Sequence, residues 1–231
     1  WALCVMGFML TTYHMVRIPE KEISNIATKD DYFSVFKTLR STPKLYLSLL
    51  FIFLYPFSEA QMQKIIPLFL IDKMGLDLSL SQFGEMYGMV GSGFLMLGIF
   101  ISGRLLMHYS LSRCMNALTL LQVLGHFLFF FLSVHPINWF VLYGVLAFNQ
   151  LTVGLANGAY MNYVLIIANR SVYPMSMYTL CTALMALSMI FFGAVSGAIQ
   201  QQLGYSSFFF YILIANLFLL IGTYKVMQHD F

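Results

Sequence analysis

The chain has 231 residues, 60% of them hydrophobic, 17% aromatic and only 9% charged, where a soluble domain carries roughly a quarter charged residues. A mean hydropathy of +0.79, spread along the whole length, marks a membrane protein and leaves no room for a soluble domain. The net charge of +3 gives no support for nucleic-acid binding, and Cys4, Cys114 and Cys181, scattered through apolar segments, fit neither a disulfide framework nor a metal-ligand spacing.

Residues 1–13 are apolar but, at about 1.5 Å per residue, too short to cross a hydrocarbon core of about 30 Å. They read as the tail of a helix whose beginning lies upstream, and the start at Trp1, with no basic region ahead of it, speaks for truncation rather than a signal peptide. Residues 14–43 form a linker on which Arg17, Lys21, Lys29, Lys37 and Arg40 alternate with Glu20, Glu22, Asp30 and Asp31. Within it Tyr32, Phe33, Phe36 and Leu39 recur at helical spacing, which predicts a short helix lying on the membrane surface.

Six spans are predicted over residues 44–231. The first, Pro43 to Ile71, carries Glu59, Gln61, Gln63 and Lys64 in its middle. A charge at that depth costs several kcal/mol and usually faces a protein interior or a water-filled cavity. At about 100° per residue, Pro56, Glu59, Gln63 and Pro67 fall on one stripe, the expected working face, with Lys64 to one side, in reach of Glu59 or of a substrate anion. A static Glu–Lys pair that only holds the bundle together is the alternative. Both prolines remove a backbone donor and mark bending points, tolerated where protein or water re-satisfies the freed carbonyl.

The loop Asp72–Leu78 leads to a second span over Ser79–Ile101, where Gly84, Gly88 and Ser92, with Gly91 and Gly98, predict close packing against a neighbour. After a basic turn at Gly103–Arg113 comes a third span, Cys114–Ser133, with a polar stripe of Thr119, Gln122 and His126. His126 is either a proton relay or a neutral side chain bonded to a neighbouring helix. The fourth span, Trp139–Ala168, places Asn149, Gln150, Asn157 and Tyr160 near mid-depth, suited to a polar ligand or to bonds between helices. Trp139, Tyr143, Tyr160 and Tyr163 serve as interfacial belt or cavity wall. A fifth span, Met175–Ile199, has a packing seam of Ala186, Gly193 and Gly197. The loop Gln200–Ser207 precedes a sixth, Phe208–Val226, expected to face lipid.

Lys and Arg assign the orientation. The linker cations with Lys44, Arg104, Arg113, Arg170 and Lys225 fall on one side and Lys73 alone on the other, which places the linker and the C-terminus in the cytoplasm.

Particular strings then carry a resemblance: FSEAQMQKIIPLFLIDKMGLDLSLSQFGEMYGMVG, AYMNYVLIIANR, YTLCTALMALSMIFFGAVSGAIQQQLGYSSFFF and YHMVRIPE. Together they resemble the C-terminal half of a major facilitator superfamily transporter, in the branch of the AmpG-type muropeptide permeases and acetyl-coenzyme A transporters. The resemblance implies an all-α six-helix half of a twelve-helix fold, with the first span as the seventh of twelve and Glu59 at the acidic position that family members often carry. The fourth span becomes the tenth, with Asn149 and Gln150 where related bacterial sequences often have a Glu-Gln pair, and GRLLMHYSLSR lacks the Asp of the superfamily's cytoplasmic loop signature.

The expected function is proton-coupled uptake of a small polar solute, such as a muropeptide, sugar or peptide, by alternating access across a bacterial inner membrane. Its partners are the solute, protons, the lipid bilayer and the missing N-terminal half. Glu59 is expected to bind the proton and Lys64 to pair with it or with a substrate anion. Gln61, Gln63, Asn149, Gln150, Asn157 and Tyr160 are expected to hold the solute, with no cofactor and no metal. A transporter-fold sensor or scaffold is the alternative. No HExxH, no GxSxG and no clustered His or Asp speaks for a membrane enzyme.

Overall fold

The computed structural model of the chain describes residues 43–135, 138–171 and 173–230. The helix tail at 1–13 and the linker with its surface helix lie outside the described residues. All described elements are helices: α1 (Pro43–Leu54), α2 (Phe57–Ile71), α3 (Leu80–Phe83), a π-helical segment (Gly84–Gly91), α4 (Ser92–His108), α5 (Leu111–Val134), α6 (Trp139–Asn169) and α7 (Pro174–Asp230). At about 1.5 Å per residue α7 would be about 85 Å long, far more than a bilayer needs. It is in fact divided at Gly204, whose φ of 73° and ψ of 171° turn the chain back. A glycine is required there because that backbone region is closed to side chains with a Cβ. Among the described residues five helices, with α1–α2 and α3–α4 each running as one, are long and apolar enough to cross a membrane, and because the last is divided at Gly204 into the arms 174–203 and 205–230, they supply six candidate spans.

The first span breaks at Tyr55–Pro56, as its proline predicts. Pro56 has no N–H to offer Ile52, and the Ile52 carbonyl instead accepts the Tyr160 hydroxyl of α6 at 2.6 Å. The neighbouring Phe53 carbonyl accepts Ser188 Oγ of α7 at 2.6 Å. Side chains from two other helices thus close the gap in the hydrogen-bond ladder and fix the bend. Pro67 stays inside α2 without a break.

Several boundaries differ from the sequence expectation. The second span continues to His108 and the third begins at Leu111, so the turn expected at 103–113 shrinks to two residues. The loop expected at Gln200–Ser207 is helical apart from Gly204. Gly84 and Gly88 face open space, whereas Gly98 and Ser102 of α4 pack onto Gly154 and Gly158 of α6, close enough for a Cβ on Gly98 to overlap the Leu151 carbonyl oxygen. Of the seam on the fifth span, Gly193 alone packs, against Ala60 and Lys64; Ala186 is exposed and Gly197 meets nothing.

Two apolar clusters fill the unit. One gathers Phe51, Ile52, Met115, Leu118, Tyr163, Val164 and Met227, the other Met62, Ile65, Phe69, Phe129, Leu146, Phe208 and Phe209. In four of the spans buried polar residues fall between them in sequence: Glu59 and Gln61 in α2, Thr119, Gln122 and His126 in α5, Asn149 in α6, Asn216 in α7. Apolar side chains such as Phe100, Phe140, Ile190 and Phe218 point outward, as lipid-facing surfaces do. The sixth span is corrected by this arrangement. One side of it meets lipid, but Phe208, Phe209, Ile212 and Asn216 are buried against α2 and α5.

Beyond α2, Asp72 joins the loop to the second arm of α7. Its carboxylate accepts the Tyr205 hydroxyl at 2.7 Å and the Met74 N–H at 3.2 Å. These bonds, led by Tyr205, hold the carboxyl below the usual carboxylate range. Because the folded pKa lies below the unfolded one, the stabilisation is in place above about pH 4 and is lost as pH falls through the folded value. Tyr205→Phe is therefore expected to lower the thermal unfolding midpoint at pH 7 and to match the parent chain near pH 2, which melting curves at the two pH values check.

Candidate functional site

A cleft of about 600 Å³ opens at the middle of the unit, between α2, α4, α6 and the first arm of α7. Pro56, Glu59 and Gln63 form one wall, as the stripe on the first span predicts; Asn157, Tyr160 and Asn162 form another; Ile99, Tyr178, Met185 and Met189 complete it. Among these lining residues Glu59 alone is charged. Tyr55 and Tyr160 stack face to face at the floor, with centroids 4.6 Å apart and planes at 17°, and Tyr55 meets Thr119 Oγ1 at 3.1 Å.

Glu59 is 7% exposed and is held from behind. Gln122 Nε2 donates to its Oε2 at 2.9 Å, and His126 Nε2 lies 3.3 Å from the same oxygen. His126 is buried and its Nδ1 meets Asn216 Nδ2 at 3.0 Å. The polar stripe on the third span is thereby joined to the acid on the first, through a histidine bonded on both sides. Charge-assisted bonds of this kind are the strong ones, and removing one partner of a buried set leaves the other uncompensated.

The remaining expected site residues are more dispersed. Lys64 makes no ion pair with Glu59; it is exposed and its stem lies against Gly193 of α7. At about 140° round the helix from Glu59 it is carried to a different neighbour. Gln61 is buried outside the cleft, its Nε2 donating to the Phe57 carbonyl at 3.4 Å. Asn149 packs on Gly125 between α5 and α6, and Gln150 on Gly91 of the π-helical segment. Tyr160 lines the cleft, but its hydroxyl is engaged by Ile52, so only its ring faces the space. Of the nine expected residues the cleft therefore gathers Glu59, Gln63, Asn157 and Tyr160, with His126 directly behind Glu59. Asn162 and Tyr178 are additions to the cleft, and Asn216 stands outside it, against the far side of His126. Asn216 is the single polar residue of the run Phe208–Leu220 apart from Tyr211, and a lone amide in an apolar span is the signal that points to it. Among the described residues no group of three His, Cys, Asp or Glu could hold a metal ion.

Six candidate spans around a mid-depth polar layer define an all-α, multi-pass membrane protein with the layout of one half of a major facilitator transporter. In comparison with known proteins, the chain is similar over most of its length to AmpG-type permeases. No protein-family model matches the chain. It is 22% identical to an AmpG 1 protein of Rickettsia conorii, over 91% of this chain and 51% of that one. To an AmpG 2 protein of Rickettsia felis it is 25% identical, over 98% of this chain and 53% of the relative. To the anhydromuropeptide permease of Escherichia coli K12 it is 24% identical, over 80% and 38%. The chain thus spans about half the length of the curated relatives it matches.

Proposed function

We propose that the chain is the C-terminal half of a proton-coupled secondary transporter that carries a small polar solute by alternating access through a bacterial inner membrane, with the linker and C-terminus in the cytoplasm. The observation that carries the proposal is the position of Glu59. It sits between two apolar clusters, on the wall of the cleft, with His126 behind it. An ionised carboxylate at that depth is costly, so proton uptake favours closure of the cleft and release of the proton favours opening to water. The permease named among the relatives supports a carrier, and the amides and phenols of the cleft suit a polar solute such as a sugar, peptide or muropeptide.

The cleft lining supports a reading in which Gln63, Asn157, Asn162 and Tyr178 contact the solute, a different set from the one the sequence gives. Asn157→Ala is expected to raise the apparent KM for uptake about three- to tenfold, the loss of about one hydrogen bond in a desolvated site, with membrane insertion unchanged. Uptake into liposomes holding the complete transporter, with anhydromuropeptide as the first solute tried, measures this. Binding of solute without accumulation would instead identify a sensor or scaffold.

A further inference from the structure

Asn216 lies in the last span, remote in sequence from the acid, is 1% exposed, and touches no wall of the cleft. Its amide Nδ2 meets His126 Nδ1 at 3.0 Å. An amide nitrogen only donates, so Nδ1 is the acceptor and the ring proton of a neutral histidine sits on Nε2. Nε2 then donates to Glu59 Oε2 at 3.3 Å, beside the Gln122 Nε2–H at 2.9 Å. Two donors converge on one carboxylate oxygen, and Oε1 receives no hydrogen bond from the described residues.

We propose that Asn216 is a positioning residue for proton coupling. By fixing the tautomer and ring orientation of His126 it occupies Glu59 Oε2 and leaves Oε1 as the atom that takes and releases the proton. The inference rests on the proton-coupled reading of Glu59 and adds to it the way the proton is directed. Few other charges compete. α2 contributes Glu59, the α1–α2 bend contributes Tyr55 and α6 contributes Tyr160 to the same cleft, and the Lys64 stem lies against Gly193. Second-partner bonds of this kind fix histidine tautomers elsewhere.

Asn216 donating to Nδ1 favours the neutral ring, which sets the direction of the effect. Asn216→Leu, similar in volume, removes that donor, and Asn216→Asp replaces it with an acceptor that favours a doubly protonated ring. A cationic ring beside Glu59 Oε2 stabilises the ionised carboxylate, so both are expected to lower the pH midpoint of uptake in the complete transporter, Asp more than Leu and by about one pH unit, a tenfold change in proton affinity; a raised midpoint in both would overturn the proposal. Solute counterflow, which needs no net proton movement, stays within about twofold of the parent. Nitrogen-15 spectra of histidine-labelled parent protein are expected to show His126 with an unprotonated Nδ1 at neutral pH, the resonance assigned by its loss in His126→Gln. If Asn216→Leu fails to reach the membrane, the Asp variant and the spectrum of the parent still decide. A midpoint unmoved in both variants, or a protonated Nδ1 in the parent at neutral pH, overturns the proposal while leaving Glu59 as the proton carrier. A parent transporter with no pH-dependent uptake overturns the proton-coupled reading itself.

Discussion

Glu59→Gln, in the complete transporter reconstituted in liposomes, is expected to lose proton-driven uptake by at least tenfold, about 1.4 kcal/mol, while solute counterflow continues. The substitution is nearly isosteric. Its amide oxygen can still accept from Gln122 and His126, which lie 2.9 and 3.3 Å from Oε2 in the parent, so the bundle keeps its buried network. What it lacks is an ionisable group at the cleft wall. The energetic lever is the desolvation of a carboxylate midway between two apolar clusters, a cost of several kcal/mol that protonation removes. With Gln in place the cleft closes equally well at any pH, and a proton gradient has nothing to act on. Uptake in this variant with an unchanged pH dependence would exclude Glu59 from coupling.

The largest effect on stability is expected where α4 and α6 touch. A Cβ on Gly98 would overlap the Leu151 carbonyl oxygen, one on Gly154 the Leu95 carbonyl oxygen, and one on Gly158 would come within 2.7 Å of Ser102 Cβ. The obstacle at the first two positions is backbone, which cannot swing aside as a side chain does. Gly98→Ala and Gly154→Ala must therefore force the helices apart and unseat Asn157 and Tyr160 from the cleft wall. Overpacking typically costs about 1–3 kcal/mol, and these two sites belong at the upper end of that range. The double variant is not additive, since both changes open the same seam. Thermal unfolding by size-exclusion fluorescence, with Gly144→Ala as the control because a Cβ there meets nothing, measures the difference. Equal tolerance at 98, 154 and 144 would contradict the packing described.

Much of this arrangement is legible in the sequence because hydrocarbon makes polar residues conspicuous. Glu59 and Gln63 stand out in an apolar run, and the helical period places them on one face with Pro56, where the cleft lies. Thr119, Gln122 and His126 likewise form a stripe. The partner of that stripe is not legible: spacing along one helix cannot say which neighbouring helix supplies the acid, so Lys64, five residues away, competes with His126, 67 residues away.

Of the seam expected on the second span, Gly91 and Gly98 pack whereas Gly84 and Gly88 do not, and the difference has a definite cause. Gly84, Gly88 and Ser92 align only if the α-helical period holds, and residues 84–91 are π-helical, with a wider turn that rotates the residues downstream of it. Gly98 and Ser102, beyond that segment, recover the four-residue spacing and do pack. Asn216 is obscured differently. One amide in a span of Phe, Leu and Ile changes neither its hydropathy nor its period, and only the fold brings it to His126 Nδ1. The Gly204 reversal is marked by a glycine, but the helix on either side runs closer to it than loop composition implies.

The central claim is that an acid at mid-depth is reached by water and exchanges a proton. Infrared difference spectra of the reconstituted complete transporter between acidic and basic pH, taken in H2O and D2O and compared with those of Glu59→Gln, test it most directly. The account predicts a protonated-carboxyl band on the acid side that shifts in D2O and is missing from the variant; identical difference spectra for the two proteins would contradict it.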